Sequence, residues 1–495
     1  MSNANPPKPK RLRFQFSLRT LMLLILLAGA TTGWVRMRMN RARRNRARVE
    51  AVETVIAELK ATGRSIPPPD VRVHYEGQRD PTWFEQWFDD PGDADDPVGI
   101  LRIRVRYRSR NVTDAALERL TGLTNLEALD ISDNKISDAG LQRLTGLKNL
   151  VSLDLTYTNV TDEGLKHLKE LPNLEKLNLN AAKYTDAGLE HLKALKKLKR
   201  LNLAGTTNAA QYQLGDATQL EFRKHDYYKI SDAGLEQISA MTTLQSLDLG
   251  YTLITDAGLR HLKGLNNLES LNLIDTKIGN AGVEHLKELT SLRELSLSET
   301  NVTDDGLAHL TGLRNLESLN LRVTKVTGDG MVHLAGLTNL RRLIFIQADV
   351  TNAGLEQFIR LTKLRELNLE DNTKVTDAGM KHLKALTNLE SLNLRGMKFT
   401  GPGLKYLAGL TNLKDINLEG SEVGDADLEY LSGLTNLTSL DLEYGKITDA
   451  GLEHLVGLKN LESLDLRFTE TSYSFKGIRK LQKALPNCVI EDLND

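Results

Sequence analysis

Leucine residues recur along most of the chain in the pattern LxxLxL, with a period of 24 residues and few exceptions. The first leucines of successive motifs are Leu126, Leu150, Leu174, Leu198, Leu244, Leu268, Leu292, Leu316, Leu340, Leu364, Leu389, Leu413, Leu437 and Leu461. A fixed period of about 20 to 29 residues predicts repeats that each form one short strand, one turn and one helix. Because side chains alternate across a strand, the last two leucines of each motif lie on the buried face of that strand.

Each repeat reads approximately LxxLxLxxTxVTDAGLxHLxGLTN. A helix is predicted to begin at the Thr/Ser-Asp pair, because the hydroxyl or the carboxylate can cap the first turn and the carboxylate complements the helix dipole. Leucines such as Leu165 and Leu168 then point inward, so that neighbouring repeats share one core. The predicted fold class is α/β: a curved solenoid with a parallel β-sheet on the concave face and helices on the convex face.

The leucine period is interrupted once, between Leu198 and Leu244, which lie 46 residues apart. Leu220 precedes the motif beginning at Ser231 by the distance seen in other repeats. A degenerate repeat is therefore predicted to fill the interval without any insertion. Including an initial unit and a closing C-terminal cap, the repeat domain is assigned to residues 100–495.

Residues 21–35 form an uncharged run of fifteen residues, LMLLILLAGATTGWV. A spanning helix needs about 20 residues, with a range of about 17 to 25, so this run crosses a bilayer only if the flanking Arg19 and Arg36 reach the interface. We predict a basic N-terminus and a transmembrane or signal-anchor helix over residues 1–36. Two alternatives remain open: a signal peptide cleaved near residues 28–30, and a buried or surface helix.

Two segments connect this run to the repeats. The helical spacing of aliphatic residues predicts a basic amphipathic stalk helix over residues 37–62. Residues 63–99 are predicted to form a linker and an aromatic N-terminal cap. Four aromatic residues share one predicted helix face there, and they either cover the first repeat or form a wedge for a partner. They are Trp83, Phe84, Trp87 and Phe88.

Charge is divided unevenly along the chain. Residues 1–48 carry twelve Lys or Arg and no acidic residue, whereas the remainder carries 52 basic and 65 acidic residues, a net charge of -13. This division predicts a basic segment beside a lipid bilayer and an acidic body that does not bind nucleic acid. Five basic residues precede the apolar run and seven follow it, so the predicted single-pass topology is left open.

The T-D-x-G-L helix start, as in residues 161–165, resembles the cysteine-containing leucine-rich-repeat class of F-box adaptor proteins and the repeats of internalin-like bacterial proteins. The resemblance implies a binding scaffold. Where the cysteine-containing class places Cys after the strand, this chain has threonine, at Thr158, Thr252, Thr276, Thr300 and Thr324.

The function predicted from these features is a membrane-anchored scaffold that recognises a protein, or a glycan, through its concave face without catalysis. Two alternatives belong to other classes: a structural protein that packs or spaces molecules in the cell envelope, and a substrate-receptor adaptor of the F-box-like type. The chain contains no HExxH, GxSxG, phosphate-loop or CxxC motif, and its one cysteine is Cys488. No catalytic residue, cofactor or metal site is predicted.

Two groups of residues are candidate partner contacts. In the strand sequence RRLIFIQAD, Ile344 and Ile346 replace the usual polar residues and lie near Arg322 and Arg342, as an interface hot spot would; neutral drift is the alternative. Aromatic residues at the strand exit suit protein or glycan contact, or pack on neighbouring loops. These are Tyr157, Tyr227, Tyr251, Tyr444 and Phe468.

Two further sets of residues, each at one repeat position, could be considered as metal ligands. The acidic pairs Asp130/Asp154 and Asp441/Asp465 could hold a cation, although repeat consensus also explains them. Histidines occupy one helix position in eight repeats, but adjacent helices lie about 8 to 10 Å apart, too far for one zinc ion. These histidines are His167, His191, His261, His285, His309, His333, His382 and His454.

Overall fold

The computed structural model describes residues 70–74, 101–106, 113–205, 230–469 and 475–492. The strands in these ranges are β1 (Asp70–His74), β2 (Leu101–Arg106), β3 (Leu126–Asp130), β4 (Ser152–Asp154), β5 (Lys176–Asn178), β6 (Arg200–Asn202), β7 (Ser246–Asp248), β8 (Ser270–Asn272), β9 (Glu294–Ser296), β10 (Ser318–Asn320), β11 (Arg342–Ile344), β12 (Glu366–Asn368), β13 (Ser391–Asn393), β14 (Asp415–Asn417), β15 (Ser439–Asp441), β16 (Ser463–Asp465) and β17 (Val489–Glu491).

These strands form one sheet in chain order. Strands β2 to β17 are parallel, each hydrogen-bonded to the next, and β1 is antiparallel to β2. The register repeats from strand to strand: Leu271 of β8 lies opposite Leu295 of β9, and Leu295 lies opposite Leu319 of β10. The parallel sheet built from one strand per repeat confirms the predicted leucine-rich-repeat architecture.

Helices on the other side of each repeat are short. The α-helices are α1 (Asp114–Leu117), α2 (Asp138–Arg143), α3 (Asp162–Leu165), α4 (Asp232–Ile238), α5 (Asp256–Leu259), α6 (Asn280–Glu284), α7 (Asp304–Ala308), α8 (Asn352–Glu356), α9 (Asp377–Met380), α10 (Gly401–Leu404) and α11 (Phe475–Ala484). Four repeats have 3₁₀ helices instead, at Asp186–Ala194, Asp329–His333, Asp425–Leu431 and Gly451–Leu455. In others a 3₁₀ turn continues the α-helix: Glu118–Gly122, Leu144–Gly146, Lys166–Glu170, Arg260–Leu262, Gln357–Arg360, Leu383–Ala385 and Lys405–Leu407.

The core lies between the sheet and these helices. Leu268, Leu271 and Leu273 of one motif are 0%, 1% and 0% exposed, and the helix leucines Leu259 and Leu262 of the preceding repeat are 0% exposed. Full burial of a leucine side chain contributes about 1.5 to 3 kcal/mol. The hydrophobic contribution therefore accumulates repeat by repeat, and each repeat depends on its neighbours to cover its leucines.

Threonine closes the turn that follows many of the strands. The buried Thr252 hydroxyl donates to the Leu249 carbonyl at 2.6 Å, and Thr276 donates to Leu273 at 2.7 Å. The side chain thus satisfies a carbonyl that would otherwise be buried without a partner. A threonine hydroxyl donates this hydrogen bond well, whereas a cysteine thiol is a weak hydrogen-bond donor.

The prediction of a degenerate repeat between Leu198 and Leu244 is wrong. Strand β6 pairs directly with β7, with Arg200 opposite Ser246, and the Leu203 amide donates to the Asp248 carbonyl at 2.9 Å. Leu220 and Ser231 have the usual spacing, but the direct pairing of β6 with β7 leaves no place in the sheet for a strand from this interval. The chain therefore carries an insertion of about one repeat in length at this point, which the leucine spacing alone does not reveal.

Deleting residues 208–229 is expected to preserve the repeat domain. The deletion would place Ile230 three positions after Gly205, the spacing that separates Ile254 from Tyr251. Because loop closure costs little more for a longer loop, the unfolding free energy should change by only about 1 kcal/mol. Circular dichroism and thermal unfolding measure the effect. The out-of-phase deletion of residues 256–277 should unfold the domain, and equal damage from both deletions would contradict the direct pairing of β6 with β7.

Within the described ranges, no helix combines the length and the apolar character that a membrane crossing requires. The predicted membrane helix in residues 1–36 and the stalk in residues 37–62 lie outside those ranges. So do the four aromatic residues predicted to form the cap; of segment 63–99, the structure describes only strand β1.

Candidate binding surface

A column of Asn and Asp side chains runs along the solvent-facing side of the sheet, at the last position of twelve strands. In each case a side-chain oxygen accepts the backbone N–H two residues further on, as from Asn320 to Arg322 at 3.0 Å. The residues that make this bond are Asp130, Asp154, Asn178, Asn202, Asp248, Asn272, Asn320, Asn368, Asn393, Asn417, Asp441 and Asp465. The column therefore closes the strand end and has a structural role.

Ile344 interrupts this column. It lies in register between Asn320 of β10 and Asn368 of β12, and its side chain is half-buried. Ile346, two residues later, is also half-buried, and the Val323 amide donates to its carbonyl at 2.9 Å. Val323 is 38% exposed. We call Val323, Ile344 and Ile346 the aliphatic patch.

The two predicted arginines border this patch, and both are paired. Arg322 forms an ion pair with Glu299, and Arg342 Nε lies 2.9 Å from Glu366 Oε1. Both guanidinium groups remain about half exposed, so these pairs contribute little stability. The structure thus brings together the four residues singled out in the sequence, with the arginines as a charged, glutamate-paired rim.

The strand-exit aromatics occupy a left-handed backbone position, with φ between 53° and 61° for the four described members. The conformation is costly for residues with a Cβ, but the N–H groups of the three tyrosines bond the next repeat, as Tyr251 does to the Ile274 carbonyl at 2.7 Å. Tyr444 and Phe468 are 55% and 48% exposed, and their rings stack with centroids 4.8 Å apart. Tyr157 and Tyr251 are half-buried, while Tyr227 lies outside the described residues.

Carboxylates cluster beside the stacked rings. The carboxylate oxygens of Asp441, Glu443 and Asp465 lie within 4.8 Å of one another. Among the described residues this is the one group of three side chains that could hold a metal ion. The Arg467 guanidinium already pairs with Asp465 at 2.6 Å and with Glu443 at 3.0 Å. These hydrogen bonds and charges raise the pKa of Arg467, while burial raises the pKa of Asp441. An internal cation thus neutralises much of this cluster.

The other predicted acidic pair differs in its surroundings. Asp130 and Asp154 lie in register on β3 and β4. Burial, together with the Asp130 charge, raises the pKa of Asp154 to about 7, although the Thr156 hydroxyl and amide favour the charged form. Near neutral pH the Asp154 carboxyl is therefore protonated in about half of the molecules, which weakens the capacity of the pair to bind a cation.

The helix-position histidines do not join the acidic group of three. They lie along the outer side of successive repeats and are mostly half-buried or exposed. Burial, with the nearby Lys381, lowers the pKa of His382, so that its neutral form is favoured. No feature of this column brings ligand atoms together in the part of the chain that the structure describes.

Sequence reasoning missed a contact between successive repeats, which we call the clasp. In eight repeats the Asp that begins the helix accepts two hydrogen bonds from the Ser or Thr of the next repeat, as Asp138 does from the Thr161 amide at 2.8 Å and hydroxyl at 2.7 Å. The same pairing joins Asp114–Ser137, Asp162–Thr185, Asp186–Ser231, Asp232–Thr255, Asp304–Thr327, Asp377–Thr400 and Asp425–Thr448.

The predicted helix cap is thus only part of this residue pair's role. Ser231 and Thr255 do accept a bond from their own helix at 3.3 Å, but their hydroxyls also donate to the preceding repeat. The recurrence of Asp at a spacing of 23 residues from Ser or Thr was the available signal. Propensity rules consider neighbours within one helix, and they do not consider partners one repeat away.

Comparisons with known proteins agree with this architecture. A family model described as "Leucine-rich repeat region" matches residues 229–490, and one described as "Leucine Rich repeat" matches residues 122–144 and 146–169. No curated protein matches the chain.

Several solved structures are similar to this chain. A leucine-rich-repeat protein of Leptospira interrogans is 21% identical with a TM-score of 0.53, covering 75% of this chain and 91% of that one. An internalin, InlF, of Listeria monocytogenes is 25% identical with a TM-score of 0.45, covering 71% and 88%. The plant peptide hormone receptor RGFR1, solved in complex with RGF2, is 17% identical with a TM-score of 0.37, covering 71% and 61%. Because the family model spans more than half of the residues, the chain belongs to the leucine-rich-repeat family.

Proposed function

We propose that this protein is a binding scaffold that recognises a protein partner through the aliphatic patch on its sheet. The observation that carries the proposal is Ile344 within the Asn/Asp column. At this strand the side chain cannot form the bond that closes the strand end in twelve other strands, and it presents aliphatic surface, whereas Ser296, which holds the same position on β9, is polar. Such a substitution lowers stability, and contact with a partner is the gain that offsets the loss.

The surroundings of the patch fit a protein interface. Arg322 and Arg342 are held by Glu299 and Glu366, so the patch has a rim of charged groups with both signs. Binding hot spots combine a central apolar anchor with a polar rim that excludes water. The solvent-facing residues that flank Ile344 on both neighbouring strands, Asn320 and Asn368, are polar, so the apolar surface is limited to the aliphatic patch. This favours a protruding apolar side chain of the partner over an extended apolar surface.

The test replaces Ile344 by Asn, the residue that neighbouring strands carry, together with Ile346 by Ser. Since Asn restores the column bond, the unfolding midpoint should not fall. A partner found by crosslinking to the wild-type protein is then purified, and its affinity is measured by calorimetry. Loss of two aliphatic contacts should weaken binding by about 10- to 100-fold.

The matched control is Ile274→Ser, because Ile274 holds the same repeat position as Ile346 on a different strand and is also half-buried. Its effect on affinity should be less than about threefold. If the Ile344→Asn, Ile346→Ser variant binds every identified partner like the wild type, the patch is not the recognition site. If the protein only self-associates, and the double variant self-associates equally well, the packing role becomes the better description.

The N-terminal segment is proposed to anchor this scaffold to a lipid bilayer. The support is the uncharged run at residues 21–35, with basic residues on both sides that can reach anionic headgroups. In cell fractions, the full chain should resist alkaline extraction from membranes, and a Leu24→Arg, Leu27→Arg variant should become extractable. A shortened, freely soluble protein would instead support cleavage, and protease digestion of intact cells reports on which side the repeats lie.

A further inference from the structure

Two consecutive repeats lack a side chain at the left-handed position that follows each strand. Gly396 and Gly420 have φ of 67° and 68°, whereas Asp371 precedes them and Tyr444 follows them at the same repeat position. A Cβ at Gly396 would lie 2.3 Å from Asp371 Oδ1, so the Asp371 carboxylate extends over Gly396. A Cβ at Gly420 would meet no atom within 4 Å. We call the space over Gly420, between the Asp371 carboxylate and the Tyr444 ring, the glycine slot.

The aromatic wall of the glycine slot is one face of Tyr444. Its other face stacks on Phe468, with ring centroids 4.8 Å apart and planes within 5°. Strands in a sheet are also about 4.8 Å apart, so the stack follows the repeat spacing. The next place in that stack lies over Gly420, where the chain supplies no side chain. A flat group of a ligand fits there in continuation of the two rings.

The charges around the glycine slot favour a cation. Glu370 and Glu419 both lie beside it and share Arg395, which is 2.9 Å from Glu419 and 3.5 Å from Glu370. Burial raises the pKa of Glu419, and the charges of Asp441, Glu443 and Glu370 raise it further against Arg395. Arg395 is thus one cation beside three carboxyl groups, those of Glu370, Asp371 and Glu419, so negative charge remains at this site and a ligand cation gains from it.

We propose that the glycine slot binds an arginine side chain of a protein partner. The guanidinium is flat and charged, so it stacks on the Tyr444 ring while the Asp371 carboxylate, which also accepts from Gln347 Nε2 at 3.2 Å, supplies opposite charge across the slot. A lysine ammonium supplies the charge without the flat surface, and a neutral ring supplies the surface without the charge. Gly420 follows β14, whereas the aliphatic patch lies around β10 and β11. The glycine slot is therefore a second site, and its test does not depend on the proposed function.

The experiment labels the full chain with 3-fluorotyrosine and follows fluorine resonances during titration with N-acetylarginine amide. The Tyr444 signal is assigned with Tyr444→Phe. It should shift saturably, with a Kd in the millimolar range of about 1 to 10 mM expected for so small a ligand. N-acetylcitrulline amide, which has the same shape without charge, and N-acetyllysine amide should each bind about 5- to 30-fold more weakly. The Tyr251 signal, from the same position in another repeat, should not move.

Two variants make the result specific. Gly420→Asn fills the glycine slot with a residue that tolerates positive φ, so it should remove the Tyr444 shift while the unfolding midpoint stays unchanged. Asp371→Asn removes one carboxylate and should weaken arginine binding severalfold. The proposal is overturned if the Tyr444 signal does not respond to the arginine amide, if citrulline binds equally well, or if Gly420→Asn binds like the wild type.

Discussion

Replacing Gly164 by alanine is expected to destabilise the repeat domain by about 1 to 3 kcal/mol. Gly164 lies within helix α3 at a backbone conformation open to alanine, and alanine has the better helix propensity by about 1 kcal/mol. Propensity alone therefore predicts a gain. The new Cβ, however, would lie 2.4 Å from Asp138 Oδ1 and 3.0 Å from Val160 Cγ1. The Asp138 carboxylate cannot move aside without losing both of its bonds to Thr161.

Chemical denaturation followed by circular dichroism measures this effect. The matched control is Gly409→Ala, because a Cβ at Gly409 would meet no atom within 4 Å. That variant should be neutral or slightly more stable. The same test applies at Gly188 and Gly258, where the Cβ would approach Asp162 and Asp232 at 2.3 and 2.2 Å. Equal stability for Gly164→Ala and Gly409→Ala would show that the clasp adjusts freely, contrary to the geometry.

The leucine period predicted the sheet because burial of the motif leucines and strand pairing follow from the same alternation. Leu271 and Leu273, two residues apart, are buried for the reason that the pattern suggests. The insertion between β6 and β7 was not predictable in this way, since Leu220 matches the spacing by its position alone. The partner of β6 is determined by backbone hydrogen bonds between residues that are far apart in the chain. The Leu203 and Gly205 amides donate to β7 and to the residue that follows it by two positions, about 46 positions further along the chain.

The candidate surface was predicted in part. The exchange of Asn for Ile344 is visible when the repeats are compared, as is the aromatic column with Tyr444. The sequence did not separate the exposed Tyr444 from the half-buried Tyr251, because exposure depends on the side chains of the adjacent repeats. It also left cation binding open for the acidic pairs of the Asn/Asp column, although those side chains close the strand ends. A repeated polar residue can satisfy the backbone as readily as it can bind a partner.

The clasp also predicts different outcomes for two changes at one residue. Asp138→Ala leaves the Thr161 amide and hydroxyl without their acceptor and should cost about 2 to 4 kcal/mol, because two bonds to a charged group are lost in a partly buried site. Asp138→Asn should cost less than about 1 kcal/mol. The chain already contains this arrangement: Asn280 accepts from the Thr303 amide at 2.9 Å and donates to its hydroxyl at 2.8 Å.

Combining Asp138→Ala with Gly164→Ala separates the clasp from a general loss of packing. In the double variant the Cβ introduced at position 164 no longer meets a carboxylate oxygen, so its own cost should largely disappear. The double variant should therefore be more stable than the sum of the single effects predicts, by about 1 kcal/mol or more. Denaturation of the four proteins in one double-mutant cycle gives this coupling energy. Strictly additive effects would mean that alanine at position 164 is unfavourable because of Val160 and the helix itself. Strong coupling would mean that glycine is needed there because of the Asp138 carboxylate of the preceding repeat.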